Sequence, residues 1–277
     1  MRLIDIRRRI VSSLSGVSDP HNEADAVISF IYGIDKTAIT LRLFDEFLPD
    51  ERIDRVISRR TAGEPLEYIV GKTVFCGYDF FVSPNCLIPQ SDTEVVVSKA
   101  LEHLPQGGSF LDIGTGSGCI AAVLAKERGA SGVAVDISEK ALEIAKNNAA
   151  SLGVSDNIEF VRADIFDDRE FKKRFDVVVS NPPYIKTDVI RTLSREVLHE
   201  PISALDGGDD GLIFYKRIIS ISPTLLKKGG RLVLEIGYDQ SASVGKILSE
   251  NGFEFEIKRD YGNNDRCVTA HIRSEAL

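Results

Sequence analysis

The stretch Phe110-Leu111-Asp112-Ile113-Gly114-Thr115-Gly116-Ser117-Gly118 decides the fold. A short apolar run ends in three glycines at alternate positions. The chain then enters Ile120-Ala121-Ala122-Val123-Leu124-Ala125, which is too long and too rich in helix formers for a turn. Strand, glycine turn and helix in this order open a doubly wound sheet with a ligand at its carboxyl edge.

The pattern repeats outward from that stretch. Strands are expected over residues 109–115, 132–137, 158–163, 176–180, 231–236, 254–259 and 266–272. Helices are expected over residues 118–128, 139–152, 212–226 and 241–251. A short charged helix or loop is expected between residues 163 and 176. Such alternation predicts an α/β fold: a mostly parallel, seven-stranded, Rossmann-like sheet with helices on both faces. Gly262-Asn263-Asn264-Asp265 joins the last two strands closely, so one edge strand should run antiparallel.

The segment before the sheet reads differently. Over residues 1–62 apolar residues recur at helical spacing, as in Ala24, Val27, Ile28 and Ile31, in Ile39, Leu43 and Phe47, and in Ile53, Val56 and Ile57. Tyr68-Ile69-Val70, Val74-Phe75 and Phe80-Phe81-Val82 are β-rich runs parted by Gly71 and Gly77, which suggests a hairpin. Ser91 followed by Glu94 before Val95-Val96-Val97 has the form of a capping box. The expected division is therefore a helical domain over residues 1–67, a hairpin linker over 68–90 and the Rossmann-like domain over 91–277.

Composition excludes several classes. The 277 residues are 43% hydrophobic and 27% charged, as in a globular chain and unlike a disordered one. No run approaches a membrane span, and the charged start Met1-Arg2-Leu3-Ile4-Asp5-Ile6-Arg7-Arg8-Arg9 has no signal-peptide core, so a soluble, cytoplasmic protein is expected. With 34 basic and 42 acidic residues the net charge is −8, and residues 1–75 are close to neutral. Duplex nucleic acid is a poor partner for such a surface, because that affinity comes mainly from basic side chains neutralising phosphates. Cys76, Cys86, Cys119 and Cys267 are scattered without metal-ligand spacing and read as reduced packing residues; no metal is expected.

The glycine loop departs from the dinucleotide pattern. It is G-x-G-x-G, Cys119 stands where G-x-G-x-x-G would end, and Asp112 precedes the first glycine. A carboxylate there repels pyrophosphate and suits a ligand carrying an ammonium and a sulfonium. Asp136, about 20 residues beyond Gly114, ends the second strand where an acid holds a ribose diol. Asp164 ends the third strand, placed for the adenine amino group. These features favour S-adenosylmethionine over a nicotinamide dinucleotide.

The strand Val177-Val178-Val179-Ser180 runs straight into Asn181-Pro182-Pro183-Tyr184. Two prolines stiffen the loop and remove two donors. What they leave is acceptors, the Asn181 side-chain oxygen and backbone carbonyls, and the flat face of Tyr184. An NH₂ group on a planar carbon can donate both hydrogens to two such acceptors and stack on the ring. Its nitrogen lone pair then points out of plane, toward a methyl group. Asn181 and Pro182 would orient the acceptor nitrogen, and Tyr184 would stack on it.

Together these segments resemble the HemK/PrmC family, the peptide chain release factor glutamine methyltransferases. The resemblance spans nearly the whole chain and rests on residues 63–75 (GEPLEYIVGKTVF), 110–118 (FLDIGTGSG) and 181–185 (NPPYI). It also rests on Glu200-Pro201, Gly207-Gly208-Asp209-Asp210-Gly211-Leu212 and Leu234-Glu235-Ile236-Gly237. The resemblance implies methylation of the glutamine amide in the Gly-Gly-Gln loop of class I release factors, leaving S-adenosylhomocysteine, with the helical domain gripping that protein. It implies cofactor contacts from Gly114, Thr115, Gly116, Ser117, Gly118, Asp136, Asp164, Ile165 and Asn181, and substrate contacts from Asn181, Pro182, Pro183 and Tyr184. Glu200 and residues 206–211 read as support. One segment departs from the family: Gln90-Ser91 stands where it has Arg-Pro.

Other readings compete. An exocyclic-amine methyltransferase of DNA or RNA shares Asn-Pro-Pro-Tyr but needs a basic recognition module. The same chemistry on a glutamine of another protein, such as a ribosomal one, is a second. A non-catalytic cofactor binder is a third, and it would have no use for an acceptor-orienting loop.

Overall fold

The computed structural model describes residues 1–167 and 173–273. Within these, the chain gathers into two compact units. The smaller comprises Met1–Lys72 with Ser194–His199, and the larger Thr73–Leu193 with Glu200–Leu277.

The smaller unit holds five helices among the described residues: α1 (Leu3–Ser13), α2 (Pro20–Tyr32), α3 (Lys36–Leu41), α4 (Arg52–Thr61) and α5 (Leu66–Val70). Asp19 caps α2 by accepting the Asn22 N–H, with Pro20 in the first turn, and Asp35 caps α3 through the Thr37 N–H. The stripe Ala24, Val27, Ile28 and Ile31 buries against Leu3, Ile6 and Ile10 of α1 and Ile53 and Val56 of α4. Arg60 is buried and charged; its guanidinium meets Glu23 at 2.7 Å and Glu196 at 2.7 Å, so the 194–199 segment is pinned to α2 and α4.

Two expectations fail here. Helix α3 stops at Leu41, and Leu43 and Phe47 reach the core from irregular chain instead. The Leu43 and Asp45 carbonyls accept the Ile4 and Leu3 N–H groups, and Phe47 donates to Met1, so this backbone pairs with residues 1–4. Residues 68–70 are helical, not extended. Gly71, in the left-handed region at φ 76°, closes α5, while Tyr68 and Ile69 bury; three apolar residues are too few for periodicity to separate strand from helix.

The hairpin follows as β1 (Lys72–Phe75) and β2 (Tyr78–Phe81), turned by Cys76 and Gly77, both at positive φ as a two-residue type I′ loop requires. Phe75 and Phe80 bury together edge to face, 6.1 Å apart. Asn148 grips its end, accepting the Phe81 N–H at 2.7 Å and donating to the Phe81 and Ser117 carbonyls.

Helix α6 (Thr93–His103) has no side-chain cap. Glu94 does not turn back on Ser91, because its carboxylate accepts the Cys76 N–H at 2.7 Å, so the capping-box expectation is not met. The sheet then alternates as expected: β3 (Ser109–Ile113), α7 (Cys119–Arg128), β4 (Ser131–Asp136), α8 (Glu139–Leu152), β5 (Ile158–Arg162), β6 (Phe175–Ser180), α9 (Thr187–Ile190), α10 (Ile213–Leu225), β7 (Leu226–Glu235), α11 (Ser241–Glu250), β8 (Phe253–Arg259) and β9 (Asp265–Ile272). The element expected between residues 163 and 176 lies partly outside the described residues. Strand order is β5-β4-β3-β6-β7-β9-β8, parallel except for β9, which is antiparallel to both neighbours. Apolar residues of α6, α7 and α8 cover one face, and those of α10 and α11 the other. Strand order reverses between β3 and β6, so the loops after them part there and open a crevice.

Phe110 and Gly132 are paired across β3 and β4, and a Cβ at position 132 would lie 2.2 Å from the Phe110 ring. Gly132→Ala should therefore cost roughly 1–3 kcal/mol, as overpacking of a rigid core does. Urea unfolding should show a lower midpoint at unchanged m-value.

Candidate active site

The crevice at the carboxyl ends of β3, β4 and β6 holds a cavity of about 490 Å³. Gly114 and Gly116 of the glycine loop sit at positive φ, and a Cβ on either would meet nothing within 4 Å. The loop therefore presents bare backbone from 114 to 117 to the cavity. Gly118 does something else. A Cβ there would lie 2.7 Å from that of Ala145, so this glycine lets α7 pack on α8.

Asp136 stands at the cavity wall. Its Oδ2 accepts the Gly116 N–H at 2.8 Å and its Oδ1 the Ser138 N–H at 2.9 Å. Burial raises its pKa, and these N–H groups work against the shift. Each carboxylate oxygen has a second lone pair that can accept a hydroxyl from a ligand. Asp164 Oδ1 is engaged by the Phe166 N–H at 2.9 Å, and the Ile165 and Asp167 carbonyls are clamped by the Arg217 guanidinium. Ile137 and Phe166 keep exposed apolar surface beside the cavity, and Phe166 lies 5.3 Å from Phe214. With Ile165 they make an apolar slot for a flat heterocycle. Sequence reasoning missed Ile137, Phe166 and Phe214, because an exposed apolar residue carries no signal until its surroundings are known.

Asp112 corrects an expectation. Its carboxyl is fully buried and does not line the cavity. Oδ2 accepts the Thr115 hydroxyl at 2.6 Å, while Oδ1 has no hydrogen bond of normal geometry. Burial pushes its pKa up to about 7. The side chain holds the glycine loop from beneath, because alternation along β3 sends it, like Phe110, to the face covered by α6, α7 and α8.

On the opposite wall Asn181, Pro182 and Pro183 face the cavity. The Asn181 Nδ2 donates to Thr93 Oγ1 at 3.2 Å, which turns its Oδ1 the other way. Thr93 Oγ1 donates to Glu235 Oε2 at 2.6 Å, and Tyr184 Oη to Glu235 Oε1 at 3.4 Å. Tyr184 is not part of the cavity lining. Its ring packs on the cluster beneath α10, and burial raises its pKa. Glu235 lies in a segment that carried the family resemblance and Thr93 beside the one that departs from it, yet nothing in their local sequence marked them as partners of Asn181.

The support residues also find places. Glu200 Oε2 accepts the buried Ile88 N–H at 3.0 Å. Gly207 and Gly211 press on the acceptor loop, where Cβ atoms would fall 2.7 Å from Tyr184 Cα and 2.5 Å from its carbonyl oxygen. Gln240 Nε2 ties the Tyr184 and Gly211 carbonyls together. Gln90, which replaces the family's arginine, is exposed and folds back on the Ile88 carbonyl.

Comparison with known proteins bears on this site. Residues 104–274 match the family described as a methyltransferase domain, and residues 5–71 match the PrmC N-terminal domain. A release factor glutamine methyltransferase of Agrobacterium fabrum is 40% identical over 278 residues, covering 96% of this chain and 95% of that protein. Another, from Geobacter sulfurreducens, is 40% identical and covers 93% and 91%. This chain belongs to the release factor glutamine methyltransferase family. The crystal structure of a methyltransferase from Pyrococcus furiosus superposes with a TM-score of 0.54 at 18% identity, over 77% of this chain and 95% of that one, and so shares its fold. The expectations of family and fold class are met.

The family's methyl donor is S-adenosylmethionine, and the cavity suits it. The open glycine cradle would take the chain that carries the ammonium and sulfonium, Asp136 would take a diol, and the apolar slot would take the adenine. Asp136→Ala should weaken donor binding by roughly 1–3 kcal/mol, because it removes a charged acceptor and frees the Gly116 N–H. Isothermal calorimetry with S-adenosylmethionine measures the loss. Among the described residues no cluster of His, Cys, Asp and Glu could hold a metal.

Proposed function

We propose that the chain methylates the side-chain amide nitrogen of the glutamine in the Gly-Gly-Gln loop of class I peptide chain release factors. The observation that carries this reading is the polarity of Asn181, which lines a cavity that also holds the glycine loop and spends one amide hydrogen on Thr93, leaving its oxygen to accept. An incoming NH₂ group finds acceptors there and no competing donors at positions 182 and 183. S-adenosylmethionine supplies an electrophilic methyl group, and S-adenosylhomocysteine leaves.

The residues contribute mostly by alignment. An amide nitrogen is a weak nucleophile because its lone pair is delocalised into the carbonyl. Asn181 Oδ1 and the Pro182 carbonyl hold its two hydrogens, which fixes the nitrogen and favours the positive charge it gains during attack. One N–H proton departs once the new N–C bond has formed. The contacts of Thr115, Ser117, Asp164 and Ile165 with the donor belong to the same proposal, whereas Tyr184, expected to stack on the amide, has its ring outside the cavity lining and supports the loop through Glu235 instead.

A protein substrate suits the surface better than a nucleic acid. The overall charge is negative and residues 1–75 have no basic surplus. The helical unit instead exposes Leu41 at the end of α3, and Phe44 and Leu48 between α3 and α4, at 87%, 71% and 85%. Apolar exposure of this degree suits contact with another protein. We place release-factor binding on this unit, with residues 68–90, which hold the end of α5 and the β1–β2 hairpin, as linker and the methyltransferase domain over 91–277. No helix among the described residues is long and apolar enough to cross a membrane, and the proposed site of action is the cytoplasm.

Asn181→Ala should lower kcat on the order of 10²–10³-fold with donor affinity little changed, as deletion of one oriented polar group at a reacting centre does. Methyl transfer to a purified release factor measures this, with a Gln→Ala factor as the blank. Wild-type turnover at saturating donor would show the loop to be merely structural. Replacing Leu41, Phe44 and Leu48 together by Ser should raise KM for the whole factor about 10-fold or more and leave turnover of a short glutamine peptide unchanged, the pattern of lost uniform binding.

A further inference from the structure

Glu235, at the end of β7, is only 3% exposed, and its carboxylate faces the start of α6 and the acceptor loop. Thr93 has one hydroxyl proton. An ionised Glu235 can only accept, so the 2.6 Å contact takes that proton. The Thr93 oxygen is then left to accept from Asn181, and the 3.2 Å contact must come from the Asn181 NH₂ group. Each bond fixes the direction of the next, and the last consequence is that Asn181, which lines the cavity, holds its NH₂ end at Thr93 and turns its oxygen away from Thr93.

We infer that Glu235 and Thr93 are positioning residues that set which end of the Asn181 amide faces the substrate, through the one-way hydrogen-bond relay Asn181 Nδ2 to Thr93 Oγ1 to Glu235 Oε2. The inference rests on the acceptor role of Asn181 and adds the reason why that role depends on a residue that does not touch the substrate. Protonation of Glu235 at Oε2 would reverse the relay. Its O–H donates to Thr93, Thr93 donates to Asn181, and the amide turns its NH₂ group into the cavity. The incoming glutamine NH₂ then meets donors instead of an acceptor.

The surroundings put this reversal within ordinary pH. Burial pushes the Glu235 carboxyl up to about 7, against the Thr93 hydroxyl, Arg266 and Tyr184, which favour its charge, while Asp92 disfavours it. Arg266 and Cys267 face it from β9, Asp92 and Thr93 from the start of α6, Tyr184 from the acceptor loop, and Tyr215 from α10 with its hydroxyl on the Glu235 carbonyl at 3.0 Å. Arg266 is itself held by Asp92 and Asp260. The active, ionised form is the alkaline one, and because the folded pKa is raised, kcat should fall as pH drops through about 7.

The test is the pH profile of kcat on a release factor for the wild type, Glu235→Gln, Thr93→Val and Thr93→Ser, with KM and donor affinity measured alongside. Wild-type kcat should fall about tenfold per pH unit on the acid side. Glu235→Gln, nearly the same shape, should turn over about 10–100-fold more slowly, with KM and donor affinity within about threefold and no acid limb. Thr93→Val should behave likewise, and Thr93→Ser should restore most of its lost rate. The double variant Thr93→Val/Glu235→Gln should lose little more than either alone, as members of one relay do. An acid limb that persists in Glu235→Gln, or near wild-type turnover by that variant, overturns the relay. If Asn181→Ala is slow while Glu235→Gln is normal, only the relay falls; if Asn181→Ala is normal, the acceptor role falls with it.

Discussion

Ser180 Oγ donates to the Ile113 carbonyl at 2.7 Å and ties together the last residues of β6 and β3, paired in register at the centre of the sheet. The glycine loop leaves from one of these residues and Asn181-Pro182-Pro183-Tyr184 from the other. Strand order reverses at this pair, so the two loops diverge and leave the cavity between them. Methyl transfer needs donor and acceptor held at near contact, and effective molarity is lost when their supports drift by an ångström. Loops that spring from adjacent, hydrogen-bonded strand ends have little freedom to drift. Every other feature of the site refines a spacing that this pairing has already set.

Three buried or half-buried acids sit at that edge with different tasks. Asp112 lies under the glycine loop and holds Thr115, Asp136 stands at the cavity wall, and Glu235 lies behind the acceptor loop. Burial raises the pKa of all three. Each is offset by donors that it orders in turn: the Thr115 hydroxyl, the Gly116 and Ser138 N–H groups, and the Thr93 hydroxyl. Satisfying a buried carboxylate fixes the conformation of whatever satisfies it. The loops of this site acquire their rigidity in that way, with the glycines of residues 207–211 and Gln240 packing the acceptor loop from outside.

Much was legible in the residues alone. Alternating apolar runs and glycine turns predicted the seven strands, most of their boundaries within one or two residues, and the antiparallel edge. A parallel sheet buried on both faces writes itself as short, nearly continuous apolar runs, which local sequence carries well. The glycine loop, Asp136 and the Asn-Pro-Pro-Tyr segment were readable because bare backbone, a strand-end acid and paired prolines each have a local physical meaning. Together with the longer family segments they identified the chemistry.

What stayed hidden depended on partners distant in the chain. Glu94 looked like half of a capping box, yet it serves the Cys76 N–H. Tyr68-Ile69-Val70 looked extended, yet the chain between Pro65 and Gly71 winds into α5. Asp112 looked like a ligand group, yet strand alternation turns it into the core. Thr93, Asn181 and Glu235 are far apart in sequence, and their relay exists only because α6 starts where β6 and β7 end. Sequence by itself determined the fold, the family and the loops that carry the reaction, because period, turn chemistry and backbone exposure are properties of neighbouring residues. Which side chains complete the site, and which way the Asn181 amide points, was decided by tertiary structure alone, because a hydrogen bond's direction depends on the whole chain of partners it joins.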